Sequence, residues 1–169
     1  VQLRFSVPPE LPSVMGNATQ LAQVFLNLVT NAIQAAQGRD GAEVVVAATA
    51  CAGPPGLADG SVEVMAPSDR TLRPGLKVEV HDNGHGIDPS AVGRLFEPFY
   101  STKPTGQGSG LGLSVVHGVL MEHAACLQLR SRPGEGTSFT LWLPATTERP
   151  AVPDDPAAAP LRPGAHSHT

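Results

Sequence analysis

A strand that runs straight into two glycines separated by one residue limits what this chain can build. Lys77-Val78-Glu79-Val80-His81 alternates apolar and polar residues, the period of a β-strand with one buried face. It leads directly into Asp82-Asn83-Gly84-His85-Gly86-Ile87. A carboxylate at a strand end, beside glycines that let a ligand lie against bare backbone, fits a base-recognition site. The carboxylate can accept a hydrogen bond from an exocyclic amino group such as that of adenine. D-x-G-x-G alone is weak, because an Asx-turn in a glycine-rich loop uses the same letters. Its weight depends on what flanks it.

Upstream, Asn17 is placed to cap a helix that runs to about Gln37 and closes at Gly38. Leu21, Val24, Phe25, Leu28, Ala32 and Ala35 recur at helical spacing and predict its buried face. Beside them runs a stripe of amides: Gln20, Gln23, Asn27, Asn31 and Gln34. The helix contains no Asp, Glu, Lys or Arg, whereas a solvent-facing stripe normally carries charges. The stripe therefore faces a ligand or partner, or the helix is buried nearly all round.

Downstream, Asp88 precedes a short helix predicted over Pro89 to Arg94, followed by the proline-broken aromatic run Leu95-Phe96-Glu97-Pro98-Phe99-Tyr100. That run is either a loop packed on the core or a hinge anchoring a mobile segment, with Phe96 and Phe99 as its anchor. Lys103 to Leu113 then carries glycine at 106, 108, 110 and 112 before a helix to about His123, with Leu113, Val116 and Leu120 inward. Glycines feeding a helix N-terminus make a phosphate site, since free N–H groups and the positive end of the dipole meet there. Lys103 adds a point charge, and the spacing excludes a Walker loop.

Valine-rich Glu43 to Ala50 predicts a strand, as does Val1 to Val7 at a sheet edge. Cys126 to Ser131 and Thr137 to Leu143 predict a closing hairpin. Cys51 to Gly75, rich in proline and glycine with one short strand-like run at Ser61 to Met65, reads as a flexible insert or a hairpin with a long excursion. From Thr146 the alternation stops, and 146–169 read as a disordered Pro/Ala-rich tail or linker after a domain at 1–145. With 41% hydrophobic residues among 169, one domain with a real core is expected. A net charge of −4 without a basic tract argues against a nucleic-acid groove. The longest apolar run, Val44 to Ala52, is too short to span a bilayer, so this domain is expected to make no membrane contact. Cys51 and Cys126 lack metal-ligand spacing and read as reduced thiols of a cytoplasmic domain. Val1 opens inside a strand pattern, as a fragment of a longer protein would.

Four stretches in order resemble the ATP-binding superfamily of gyrase, heat-shock chaperones, histidine kinases and MutL proteins, the Bergerat fold. They are Gln23 to Ala32 (the asparagine box), Asp82 to Ile87 (a first glycine box), Phe96 to Phe99 (a phenylalanine box) and Gly108 to Leu113 (a second glycine box). The chain is most similar to the catalytic and ATP-binding domain of bacterial sensor histidine kinases, with Pro133 to Phe139 resembling that domain's closing hairpin. The resemblance implies an α+β two-layer sandwich, a mixed β-sheet covered on one face by helices. It implies ATP and Mg²⁺ as cofactors. Asp82 would bind the adenine amino group, with Gly84, Gly86 and Ile87 along the base and Thr137 near it. Asn31 would reach Mg²⁺, and Asn27 would lie on the phosphate side. Lys103 and the backbone of Gly108, Gly110, Leu111 and Gly112 would hold phosphates, with Asn27 and Lys103 as the catalytic pair.

Hydrolytic branches of that superfamily carry glutamate four residues before the Mg²⁺ asparagine. Here the position is Asn27, an amide that cannot act as a general base. Transfer of the γ-phosphoryl group to a histidine on a separate dimerisation domain, in two-component signalling with a response regulator, is the implied activity. The implied location is cytoplasmic, with a membrane anchor on the parent left open. The one His-acidic pair here, His81-Asp82, lies on the base-site strand, so the acceptor is expected outside this chain. His85, His117 and His123 read as structural or peripheral. A serine kinase of the anti-sigma-factor type and a non-catalytic nucleotide-binding module are the rivals. Ala124-Ala125 stands where the family has glycines after the second-box helix, so a left-handed position there would cost about 1 kcal/mol.

Overall fold

A computed structural model describes residues 1–66, 73–101 and 110–147. Its strands are β1 (Gln2–Ser6), β2 (Glu43–Cys51), β3 (Ser61–Met65), β4 (Gly75–Asp82), β5 (Cys126–Arg132) and β6 (Gly136–Pro144). They form one sheet in the order β1-β2-β4-β6-β5-β3. Only β1 and β2 run parallel, and every other pair is antiparallel. The helices are α1 (Ala18–Ala36) and α2 (Gly112–Glu122). The expected two-layer α+β sandwich is observed.

The amphipathic spacing of α1 sets the layering. Val24, Leu28, Ala32 and Ala36, four residues apart, are at most 4% exposed and face the sheet. They pack with Val44, Val80, Leu127, Leu129, Phe139, Leu141 and Leu143 of the strands and with Val116 and Leu120 of α2. Asn17 caps α1 by accepting from the Gln20 amide at 3.1 Å, and Gly38 leaves the helix with φ 84°. Because β4 lies between β2 and β6, its last residue, Asp82, ends inside the sheet rather than at an edge. That placement buries the carboxylate.

Three expectations need correction. The short run Ser61–Met65 is no loose excursion: β3 crosses to the far edge and pairs antiparallel with β5, with Val64 and Met65 packed on the core. Gln128 of β5 also donates to the Pro55 carbonyl at 2.9 Å, which holds the start of the insert over the other face of the sheet. Residues 67–72 lie outside the described part. The helix expected over 89–94 is a turn followed by a single 3-10 turn at Val92–Arg94, with the Asp88 carboxylate accepting from the Ser90 amide and hydroxyl. Phe99 does not anchor to the core; it is 78% exposed with φ 65°, while Phe96 and Tyr100 pack inward.

The alanine at the end of α2 sits where the sequence raised a question. Ala124 has φ 50°, its N–H bonds to Met121 O, and the Ala125 N–H bonds to Leu120 O. This is a Schellman ending with alanine in the position glycine normally takes.

Candidate functional site

One side of α1, the end of β4, the start of β6 and the start of α2 enclose a cavity of about 390 Å³. Asp82, Gly86, Ile87 and Thr137 line one end, Asn27 and Asn31 the α1 wall, and Gly110 and Gly112 the α2 end. Asn27, Asn31, Asp82, Gly86, Ile87, Gly110, Gly112 and Thr137, all named from the sequence, thus meet in one place although 110 positions separate Asn27 from Thr137. Gln34 joins them, so the amide stripe of α1 faces a cavity rather than the core. Gln20 and Gln23 do not line it, and Gln20 donates instead to Glu122. The wall is largely apolar elsewhere, with a few convergent polar groups, the composition of a small-molecule site.

Asp82 is 3% exposed and, among the described residues, accepts hydrogen bonds from backbone N–H groups rather than from a cationic side chain. Burial pushes its carboxyl above the usual value, opposed by the Gly84 N–H, His81, the Thr137 N–H and His85. One carboxylate oxygen accepts the Gly84 amide at 2.8 Å. A carboxylate has capacity for further donors, so a ligand amino group meeting it from the cavity would relieve a buried acceptor.

The glycines divide by role. Gly86 lines the cavity with φ 69°, and a Cβ there would overlap the Arg132 carbonyl oxygen. Gly84 is not a wall residue. A side chain on it would strike the Ala35 backbone and the Asp82 carboxylate, so it lets the loop pack on the last turn of α1 while its N–H holds Asp82. Leu111 also stays off the wall; as N-cap of α2, its carbonyl accepts from Val115 N and Ser114 Oγ. Asn27 donates from Nδ2 to Gly112 O at 3.3 Å and ties α1 to the N-terminus of α2, a bond a carboxylate could not make. Lys103 and Gly108, and with them the middle of the expected lid, lie outside the described residues.

Several residues that hold the site gave no sequence signal. Ser131 accepts from the Ile87 amide and donates to Gly136 O, and its hydroxyl lies 2.9 Å from that of Thr137. Gly136, with φ 107°, lets the β6 backbone close over the Asp82 carbonyl, where a Cβ would overlap it. Arg39 donates to Gly84 O and Gly134 O, clamping the loop after β4 to the β5–β6 turn. Two glycines at such a turn were visible as a hairpin, but their nearness to Asp82 is a matter of register. Of the histidines, His85 lines the cavity, its Nδ1–H donating to Gly86 O, so it is not peripheral. His123 is structural as expected: its Nδ1–H donates to Val119 O while Nε2 accepts the Asn17 amide, joining the ends of both helices. His117 lies against Phe96, ring centroids 6.0 Å apart.

With this geometry in place, known proteins supply the decisive comparison. Residues 16–147 match the family described as histidine kinase-, DNA gyrase B-, and HSP90-like ATPase. The chain belongs to this family. The sensor histidine kinase ZraS of Escherichia coli (strain K12) is 36% identical over 149 residues, 88% of this chain and 27% of ZraS. The two-component sensor PprA of Pseudomonas aeruginosa is 38% identical over 145 residues, 85% of this chain and 14% of PprA. The sensory histidine kinase/phosphatase NtrB of Rhizobium leguminosarum bv. phaseoli is 34% identical over 148 residues, 88% of this chain and 36% of NtrB. The chain thus spans 14% to 36% of the length of these relatives. Among solved structures, the mycobacterial sensor histidine kinase MprB superposes with a TM-score of 0.59 at 25% identity, covering 85% of this chain and 81% of that one. The nucleotide-free catalytic domain of histidine kinase ThkA gives 0.59 at 25% identity, covering 85% and 78%.

For this ATPase-family domain the resemblance drawn from four short stretches holds over 132 residues (147 − 16 + 1). Among its described residues no helix is long and apolar enough to cross a membrane, and no group of three His, Cys, Asp or Glu is placed to hold a metal.

Proposed function

We propose that the cavity binds ATP with Mg²⁺ and that this domain passes the γ-phosphoryl group to a histidine on a dimerisation domain of its parent protein. A response regulator would then receive the phosphoryl group, and the domain would work on the cytoplasmic side of its cell. The observation that carries this reading is the buried Asp82 carboxylate, held by backbone N–H groups, at one end of a cavity whose other end is the N-terminus of α2. Adenine amino group and phosphates have opposite needs, an acceptor and a cluster of donors, and the two ends of the cavity meet them separately.

The chain's own residues have distinct tasks. Asp82 accepts from the base, and Gly86 and Ile87 give it a flat wall. The backbone N–H groups of Gly110, Leu111 and Gly112, with Lys103 and Gly108, would hold the phosphates. Asn31 offers an amide oxygen from the α1 wall. A hard cation held by one protein oxygen and completed by phosphates and water is Mg²⁺-like, and the lack of a carboxylate cluster among the described residues fits that donor set. Bound there, Mg²⁺ would neutralise charge on the transferring group. Asn27 cannot take a proton from water, so the site positions the phosphoryl group for another nucleophile rather than hydrolysing it.

The test is transfer from radiolabelled ATP to the parent's dimerisation domain added in trans. Acid-labile label that disappears with Asn31→Ala supports the reading. Acid-stable label would assign the domain to serine kinases, and sustained phosphate release by the chain alone would return it to the hydrolytic branch.

A further inference from the structure

A second cavity, of about 240 Å³, opens on the opposite face of the sheet. Side chains alternate along β4 and β6, so the strand ends that turn Asp82 and Thr137 toward the nucleotide cavity turn His81 and Ser138 the other way. His81 stands opposite Ser138, with Nδ1 2.9 Å from the hydroxyl, and Ser138 stands opposite Arg130 of β5. Arg132 lines the same cavity two residues further on. Three basic side chains and a hydroxyl therefore line one cavity on a strand-built floor. The one acid in the lining, Glu135, lies 3.6 Å from Arg132, and both are more than two-thirds exposed. An ion pair so exposed contributes little and gives way to a better anion. The nearest acid on the same face of β4, Glu79, is engaged by Lys77 at 3.1 Å.

The geometry points to a second anion site here, for a phosphate-type dianion. Two guanidinium groups match a doubly charged tetrahedral oxyanion, each able to donate in pairs to its oxygens. The Ser138 hydroxyl and the His81 ring supply donors from the floor. The site is separate from the nucleotide cavity: Thr137 is the one residue lining both, and His81, Ser138 and Arg130 stand on the opposite face of the sheet from Asp82. The adjacent pair His81-Asp82, which has no place as an acceptor histidine in this domain, gains a physical meaning. One residue serves the front site and its neighbour the back.

The experiment titrates inorganic phosphate into the 169-residue chain at constant ionic strength against chloride and reads backbone amide shifts. Saturable shifts at residues 81 and 130–138 are expected. Arg130→Gln and Arg132→Gln should each weaken them about tenfold, the value of one charge-assisted hydrogen bond. Glu135→Gln should tighten binding by removing the competing acid. All three positions are exposed, so the variants keep their fold, which the remaining amide shifts report. Shifts confined to residues 110–113, shifts that do not saturate, or shifts at 130–138 unchanged by either arginine substitution would overturn the site.

Discussion

Replacing Ala124 by glycine should stabilise this domain, although it removes a methyl group from a helix end. Ala124 holds φ 50° because the Schellman bonds to Met121 and Leu120 require a left-handed residue there. For an L-residue that conformation costs about 1–2 kcal/mol. Glycine relieves it but loses more chain entropy on folding, about 0.4–1 kcal/mol. The half-buried methyl contributes a few tenths more, at most about 0.8 kcal/mol for a fully buried carbon. The balance is a gain of about 0.5 kcal/mol, a rise in Tm of about 1–2 °C for a chain of this size. Ala125→Gly is the control. Ala125 is 1% exposed, belongs to the core cluster and has no positive φ, so its variant loses both methyl burial and entropy. It should lose about 1–2 kcal/mol. Urea unfolding of both variants measures the difference, with an unchanged m-value as the sign that only the folded state moved. If Ala124→Gly falls below the parent chain, or the two variants lose the same stability, the strain assigned to position 124 is not there.

Asp82→Asn should abolish ATP binding measured by calorimetry while leaving far-UV circular dichroism intact, because the amide can offer a donor where an acceptor is needed. In the parent chain, affinity for adenosine should fall on acidification from a pH above the usual carboxylate range, since burial raises the Asp82 pKa. The same shift has a stability sign. Between the unfolded value of 3.8 and the raised folded one, the folded chain binds more protons, so stability falls as pH rises through that window, and Asp82→Asn should remove this fall in thermal scans. Gly86→Ala and Gly136→Ala each combine positive φ with a backbone overlap, so each should cost at least about 2 kcal/mol in chemical unfolding and weaken nucleotide binding. Shortening the segment between β2 and β4 so that β3 is lost should lower the calorimetric Tm by several degrees, because β5 then becomes a bare edge and Gln128 loses its Pro55 partner.

The sequence by itself determined the elements and most of the site. The four-residue recurrence of Val24, Leu28 and Ala32 is local, and so is the capping of α1 by Asn17; both depend only on helical spacing. The uncharged stripe of α1 carried information because surface helices are normally charged: Asn27, Asn31 and Gln34 of it line the cavity, while Gln20 and Gln23 do not. Asp82 with its glycines was legible because a strand alternation ran straight into it.

Tertiary structure decided what distance in sequence hides. Ser61–Met65 read as a short strand-like run, but five residues flanked by proline and glycine carry too little pattern to show that they pair with β5, some 65 positions later. Phe99 looked like a core anchor because aromatic residues usually are, but the backbone turn at φ 65° beside Gly110 directs it outward. Gly84 and Gly86 are alike as letters, yet one meets α1 and the other Arg132, so packing alone gives them different tasks. Ser131 and Gly136 reach the loop after β4 because β4, β6 and β5 are neighbours in register, and Arg39 ties that loop to the β5–β6 turn. Side-chain period is a property of a segment, whereas register and strand order are properties of the sheet, and the second set fixed which residues meet at Asp82.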